Sequence, residues 1–224
     1  MYQIIADETD FIVIDKSHNV HFHSQDGTAG VMATVEKDLA IKLYSVHRLD
    51  TLTSGLLLFA KSSQAAAEFT QLFTAHKVQK YYLALAKGKP KKKQGSIVGD
   101  MAKSRRSMHK LLRTMENPAR TQFFSQSVAE GLRLYLLKPL SGKTHQLRVA
   151  LASIGVPILG DQLYGGEEAD RGYLHAFSLD FVFRDHAYKY TIPPTDGVFF
   201  TAEDTIKQLQ IWSEPERLDW PNKN

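Results

Sequence analysis

The chain has 224 residues, 43% hydrophobic and 23% charged, which is ordinary for a globular protein and long enough to bury a sizeable core. It has no cysteine, which excludes disulfides, thiolate catalysis and cysteine-ligated zinc and suits a cytoplasmic protein. The net charge of +4 is mildly basic, no apolar run approaches the ~20 residues of a bilayer span, and Met1 to Glu8 lacks the features of a signal peptide, so neither membrane insertion nor export is expected.

Short apolar runs at residues 4–6 and 11–15 flank Asp7-Glu8-Thr9-Asp10 and predict two strands and a turn. Val31, Val35 and Leu39 lie at helical spacing within 28–40, after Gly27-Thr28. Residues 56–60, Leu-Leu-Leu-Phe-Ala, are continuously apolar, as in a strand covered on both faces. A helix is predicted over 63–77, with Phe69, Leu72 and Phe73 on one side, and a strand over 81–86. Residues 122–128 and 132–138 predict a hairpin around Glu130-Gly131. Leu147, Ala150, Leu151 and Ile154 stripe a helix over 144–154, which Gly155 and Pro157 would end. A last hairpin is predicted over 179–184 and 188–192. Strands and helices mix without βαβ alternation, so the fold class is α+β. We expect one catalytic domain over 1–202 and a tail over 203–224, a docking helix with a loose end that carries Trp212 and Trp220.

Residues 87–113 concentrate positive charge: Lys89, Lys91, Lys92, Lys93, Lys103, Arg105, Arg106, His109 and Lys110 stand against one acidic residue, Asp100. Such a stretch can follow a phosphate backbone or can simply be a solvated loop. Three other features imitate known sites. Ser141-Gly142-Lys143-Thr144 resembles a phosphate-binding loop, but Leu137 stands where that motif needs its first glycine. His47-Arg48-Leu49-Asp50 has one residue too many for a kinase catalytic loop. His18, His21 and His23 lack a matching ligand set, so they are read as polar loop histidines and no metal is expected.

Two segments carry chemistry. His47-Arg48-Leu49-Asp50-Thr51-Leu52-Thr53-Ser54-Gly55 is a dense polar set that runs directly into the apolar strand. Lys143-Thr144-His145-Gln146-Leu147-Arg148 opens the later helix, and Pro157-Ile158-Leu159-Gly160-Asp161-Gln162-Leu163-Tyr164-Gly165 follows it. Together they resemble the RluA-type pseudouridine synthases, those of the ribosomal large subunit type. That family carries His-Arg-Leu-Asp-x-x-Thr-Ser-Gly, then Gly-Arg-x-His-Gln-[Ile/Leu]-Arg and Pro-Ile-x-Gly-Asp-x-x-Tyr-Gly. Lys80-Tyr81-Tyr82-Leu83-Ala84 and Leu174-His175-Ala176 add weaker matches, and the likeness spans about residues 4–192. Lys143 departs from the usual Arg, Ala150 and Val156 from a common His, and Lys16-Ser17-His18-Asn19 from Lys-Pro-x-Gly. Asn19 tolerates the left-handed backbone that such a turn needs.

The resemblance implies a pseudouridine synthase fold: a mixed, largely antiparallel sheet flanked by helices and loops, with a central active-site cleft. It implies isomerisation of uridine in structured ribosomal or transfer RNA, by a monomer without metal or nucleotide cofactor and without the family's optional N-terminal RNA-binding domain. Asp50 matches the catalytic Asp, which either attacks C1′ of the ribose or takes the C2′ proton. Burial alone would neutralise that carboxyl, so an opposite charge is needed, and Arg148 matches the Arg that pairs with it. Tyr82 matches the active-site Tyr; strand alternation lets only one of Tyr81 and Tyr82 face the cleft. Arg48, His47, Thr53, His145 and Lys143 are the expected RNA-binding residues, and the target base is expected to be flipped out of its stack. Two alternatives stay open: a non-catalytic RNA-binding or RNA-chaperone protein on the same fold, and a glycosidase acting on free nucleosides or nucleotides.

Overall fold

In the computed structural model, which describes residues 1–25, 27–105 and 107–221, the N-terminal apolar runs form strands β1 (Tyr2–Asp7) and β2 (Phe11–Lys16). Helix α1 (Val31–Leu39) begins three residues later than its apolar spacing predicts, because residues 25 and 28 first close a small bridge. Strands β3 (Tyr44–Ser45) and β4 (Ser54–Ala60) follow. Helix α2 (Ser63–Thr74) starts where the Ser62 hydroxyl accepts the Ala65 N–H at 3.1 Å. It stops short of Lys77 because His76 turns left-handed at φ 55. Then come β5 (Gln79–Lys87), β6 (Gln94–Gly99), β7 (Met101–Lys103), β8 (His109–Leu111), β9 (Ala119–Ala129) and β10 (Leu132–Pro139). Helix α3 (Gln146–Ser153), strands β11 (Leu174–Phe183) and β12 (His186–Thr191) and helix α4 (Glu203–Ile211) complete the chain.

These elements form two compact units, Met1–Gln79 with His175–Ile192, and Lys80–Leu174 with Pro193–Asn224. In the first unit the strands run β1-β2-β4-β11, with β3 on β4 and β12 on β11. The β4–β11 pair is parallel and its neighbours are antiparallel, so the sheet is mixed. Strand β4 is buried along its whole length, which is why it reads as unbroken hydrophobics. On one face Leu56, Leu58 and Ala60 meet Phe11, Phe69, Phe181 and Phe183, and the Phe69 and Phe183 rings stack 4.3 Å apart. On the other face Phe22 covers Phe59.

The second unit holds an antiparallel sheet, β5-β10-β9-β6, and the β7–β8 hairpin. Its two faces are covered differently. Trp220 packs on Phe124 and Tyr81, and the Lys138 ammonium sits over both the Tyr81 and Trp220 rings. On the opposite face Gln146 of α3 donates to the Thr121 hydroxyl and the Arg120 carbonyl, each at 3.0 Å. Residues 87–113 are therefore not one open loop: they supply an edge strand and a hairpin, with Arg106 outside the described residues. Among the described residues no helix is long and apolar enough to cross a membrane.

Candidate active site

Asp50 heads a tight turn in the first unit. Its carbonyl accepts the Thr53 N–H at 3.0 Å, and β4 begins at the next residue. The turn is braced from several sides. Lys16 is fully buried, and its ammonium donates to the Thr51, Val20 and Ser17 carbonyls at 3.3, 2.9 and 3.0 Å. A buried ammonium needs such partners, and satisfying it here ties β2 and the loop after it to the residue beside Asp50. That loop contains Asn19, which adopts the left-handed backbone (φ 56) expected of it. The Thr51 hydroxyl lies 3.1 Å from His21 Nδ1.

Below the turn, the Ser54 hydroxyl lies 2.8 Å from His175 Nδ1, and His175 Nε2 lies 3.0 Å from the Ile192 carbonyl. The carbonyl can only accept, so Nε2 carries the proton and Ser54 donates to Nδ1. Gly55 adopts φ +105 opposite Ala176, and a Cβ there would collide with the Ala176 carbonyl oxygen. The Thr-Ser-Gly portion of the motif thus consists of a turn-closing amide, a buried hydrogen-bond donor and a residue without a side chain. His47 belongs to the same scaffold: its Nε2 accepts the Leu58 N–H at 3.0 Å and its ring stacks on Phe73 at 4.8 Å. Thr53 is only 2% exposed. His47 is half-buried, and the contacts of both residues brace the turn. Arg48 differs in being exposed.

The second unit holds Tyr82 and Arg148. Tyr81 points to the face that Trp220 covers, so alternation along β5 puts Tyr82 on the other, where α3 lies. Burial holds the ammonium of neighbouring Lys80 below the usual lysine range. Arg148 is 6% exposed, and Nε and Nη2 each donate to Asp161 at 2.7 Å in a bidentate pair. Its guanidinium also lies 5.0 Å from the centroid of the Tyr164 ring. Sequence reasoning gave no role to Asp161 or Tyr164, although both lie in the quoted Gly-Asp-x-x-Tyr-Gly segment. Gly160, at φ +80, lets the chain pass against the Arg171 carbonyl just before Asp161.

Helix α3 starts two residues later than predicted because His145 is left-handed (φ 56), and its Nδ1 lies 2.8 Å from the Tyr164 hydroxyl. The apparent phosphate loop is filled by its own chain: Gln146 Oε1 accepts the Lys143 N–H at 3.0 Å and the Ser141 hydroxyl at 2.8 Å. A hydrogen bond from the Thr114 side chain does most to favour the ionised form of Asp100. Bonds from the Glu116 and Asn117 amides, and lastly the charge of Lys143, add to this and hold the Asp100 carboxyl below its usual range. The one acid of the basic segment thus pins the base of the β7–β8 hairpin.

The family model of the RNA pseudouridylate synthases matches residues 10–153. A Haemophilus influenzae protein described as an uncharacterized RNA pseudouridine synthase is 46% identical over 213 residues, 94% of this chain and 95% of its own length. The dual-specificity RNA pseudouridine synthase RluA of Salmonella typhi is 33% identical over 158 residues, 66% of this chain and 71% of its own. The solved human RNA pseudouridylate synthase domain containing 1 shares the fold, with a TM-score of 0.76 at 24% identity over 93% of this chain and 94% of that one. Mixed sheet and motif-bearing turn together define an RNA-modifying isomerase. The chain belongs to the RluA-type family of RNA pseudouridine synthases.

Proposed function

We propose that this synthase converts specific uridines of structured ribosomal or transfer RNA to pseudouridine with Asp50 as its catalytic carboxylate. The braced turn that begins at Asp50 carries the assignment: four side chains, Lys16, His47, Ser54 and His175, hold the segment around one acid. In the reaction the N1–C1′ bond breaks, the base turns, C5 bonds to C1′, C5 loses its proton and N1 gains one. Nothing is oxidised and no group is added, so the reaction itself calls for no metal or nucleotide cofactor; the protein is proposed to act as a cytoplasmic monomer. Asp50 either attacks C1′ or removes the C2′ proton, and both routes need it ionised. Arg148 supplies the compensating charge. A guanidinium has donors on three nitrogens, so the bidentate bond to Asp161 does not exhaust its donors.

Tyr82 stacks on the flipped uracil and assists loss of the C5 proton. Arg48 enters the vacated stack or grips a phosphate, while His145, Lys143 and the basic residues of 87–113 hold the backbone. His47 and Thr53 act by positioning the turn. Loops and stem junctions are the favoured substrates, because their bases leave the stack at little cost. The test is tritium release from ribosomal and transfer RNA transcripts labelled at uridine C5, assayed separately. Wild type is expected to release tritium, and Asp50→Asn to bind RNA yet release none. Turnover by Asp50→Asn would end the mechanism, and tight binding without release by wild type would favour the non-catalytic reading.

A further inference from the structure

Tyr164 stands where the basic hairpin meets Arg148. It closes the short 3-10 turn Gln162–Tyr164 that directly follows Asp161. Its hydroxyl accepts the backbone N–H of His109, in β8, at 2.9 Å, and lies 2.8 Å from His145 Nδ1. The hydroxyl thus has two partners at once, and the direction of the bond to His145 is set by that ring's tautomer. The underlying ring carries the Arg148 guanidinium. One side chain therefore touches the hairpin and the residue before α3 through its oxygen, and the proposed partner of Asp50 through its face.

One polar atom at the joint is left unsatisfied. The rings of His109 and His145 meet edge-on at 5.6 Å, and His109 Nδ1 is buried with no hydrogen-bond partner among the described residues. A polar atom left so opposes docking, and the Tyr164 hydroxyl offsets it. Beyond the joint, Lys103, Arg105, Lys110 and Arg113 are exposed.

We propose that Tyr164 is a positioning residue that couples RNA held on the β7–β8 hairpin to the setting of Arg148. This rests on the reading of the basic segment as an RNA surface. The oxygen registers the hairpin on α3, and the ring registers the guanidinium, so substrate is gripped in register with the charge that serves catalysis. The two functions separate by substitution. Tyr164→Phe removes the oxygen and keeps the ring; Tyr164→Leu removes both.

The experiment combines amide hydrogen exchange with steady-state pseudouridine formation. Tyr164→Phe is expected to expose the His109 amide to exchange while residues 147–153 stay protected, and to raise KM about tenfold with kcat changed less than about twofold. Tyr164→Leu is expected to lower kcat as well. A control, the double variant Lys103→Glu/Lys110→Glu, is expected to raise KM with the His109 amide still protected. Wild-type KM in Tyr164→Phe, with KM raised in the control, would overturn the coupling alone. Wild-type KM in the control would overturn the hairpin as an RNA surface and the coupling with it. A proportional loss of kcat and of melting temperature in Tyr164→Phe, with KM unchanged, would reduce Tyr164 to ordinary packing.

Discussion

Arg148 and Asp161 are 7% and 1% exposed at their side chains, and neither ion can be left alone at that depth without penalty. Removing one partner of a buried pair costs about 3–5 kcal/mol, whereas replacing both with apolar groups can be nearly neutral. Asp161→Ala should therefore lower the urea midpoint strongly, and Arg148→Met/Asp161→Leu should recover most of it. Turnover should be absent in the double variant even where stability returns, because the guanidinium proposed to serve the catalytic carboxylate has gone. Tritium release by a stable double variant would remove Arg148 from the mechanism. The separation matters because either single variant alone confuses loss of folding with loss of chemistry.

At the scale of elements, the Asp50 turn depends on a parallel contact at Gly55 and Ala176. Gly55→Ala would have to hold a side chain at φ +105 against a backbone oxygen. Backbone strain alone costs about 1–3 kcal/mol, and the collision adds to it. The melting temperature should fall, with tritium release falling further than stability predicts as the turn shifts; a variant with wild-type melting and turnover would show that the close approach is dispensable. Elements with one dominant period were legible from residues alone. Helix α3 showed Leu147, Ala150, Leu151 and Ile154, and β4 showed an unbroken apolar run. Strands β6 to β8 were hidden because they are short and the surrounding lysines mask Ile97, Val98 and Leu111. The late start of α3 could not be read, since a left-handed His145 leaves no mark in composition. Asp50, Tyr82 and Arg148 were singled out by motif, but spacing along the chain does not disclose that Arg148 grips Asp161 or that Tyr164 lies beneath it.

Across the whole molecule the net charge is only +4, so RNA affinity depends on where the cations stand rather than how many there are. Each phosphate contact on single-stranded RNA contributes about 0.7 to the slope of log affinity against log salt. Neutralising Lys103 and Lys110 together, as Lys103→Gln/Lys110→Gln, is expected to reduce that slope by about 1.4 if both meet phosphate. Filter binding across a salt series reads this directly, and an unchanged slope would place the RNA elsewhere on the surface.

The brace between Ser54 and His175 joins residues 121 positions apart. A chain made at about 5–20 residues per second needs about 6–24 seconds after Ser54 is added before His175 exists at all. Through that interval the parallel strand that supports the Asp50 turn has not yet been synthesised, while β1, β2 and β4 can already pair. Competence in this enzyme is therefore a late event of biosynthesis, set by the arrival of one buried histidine long after the acid it helps to place.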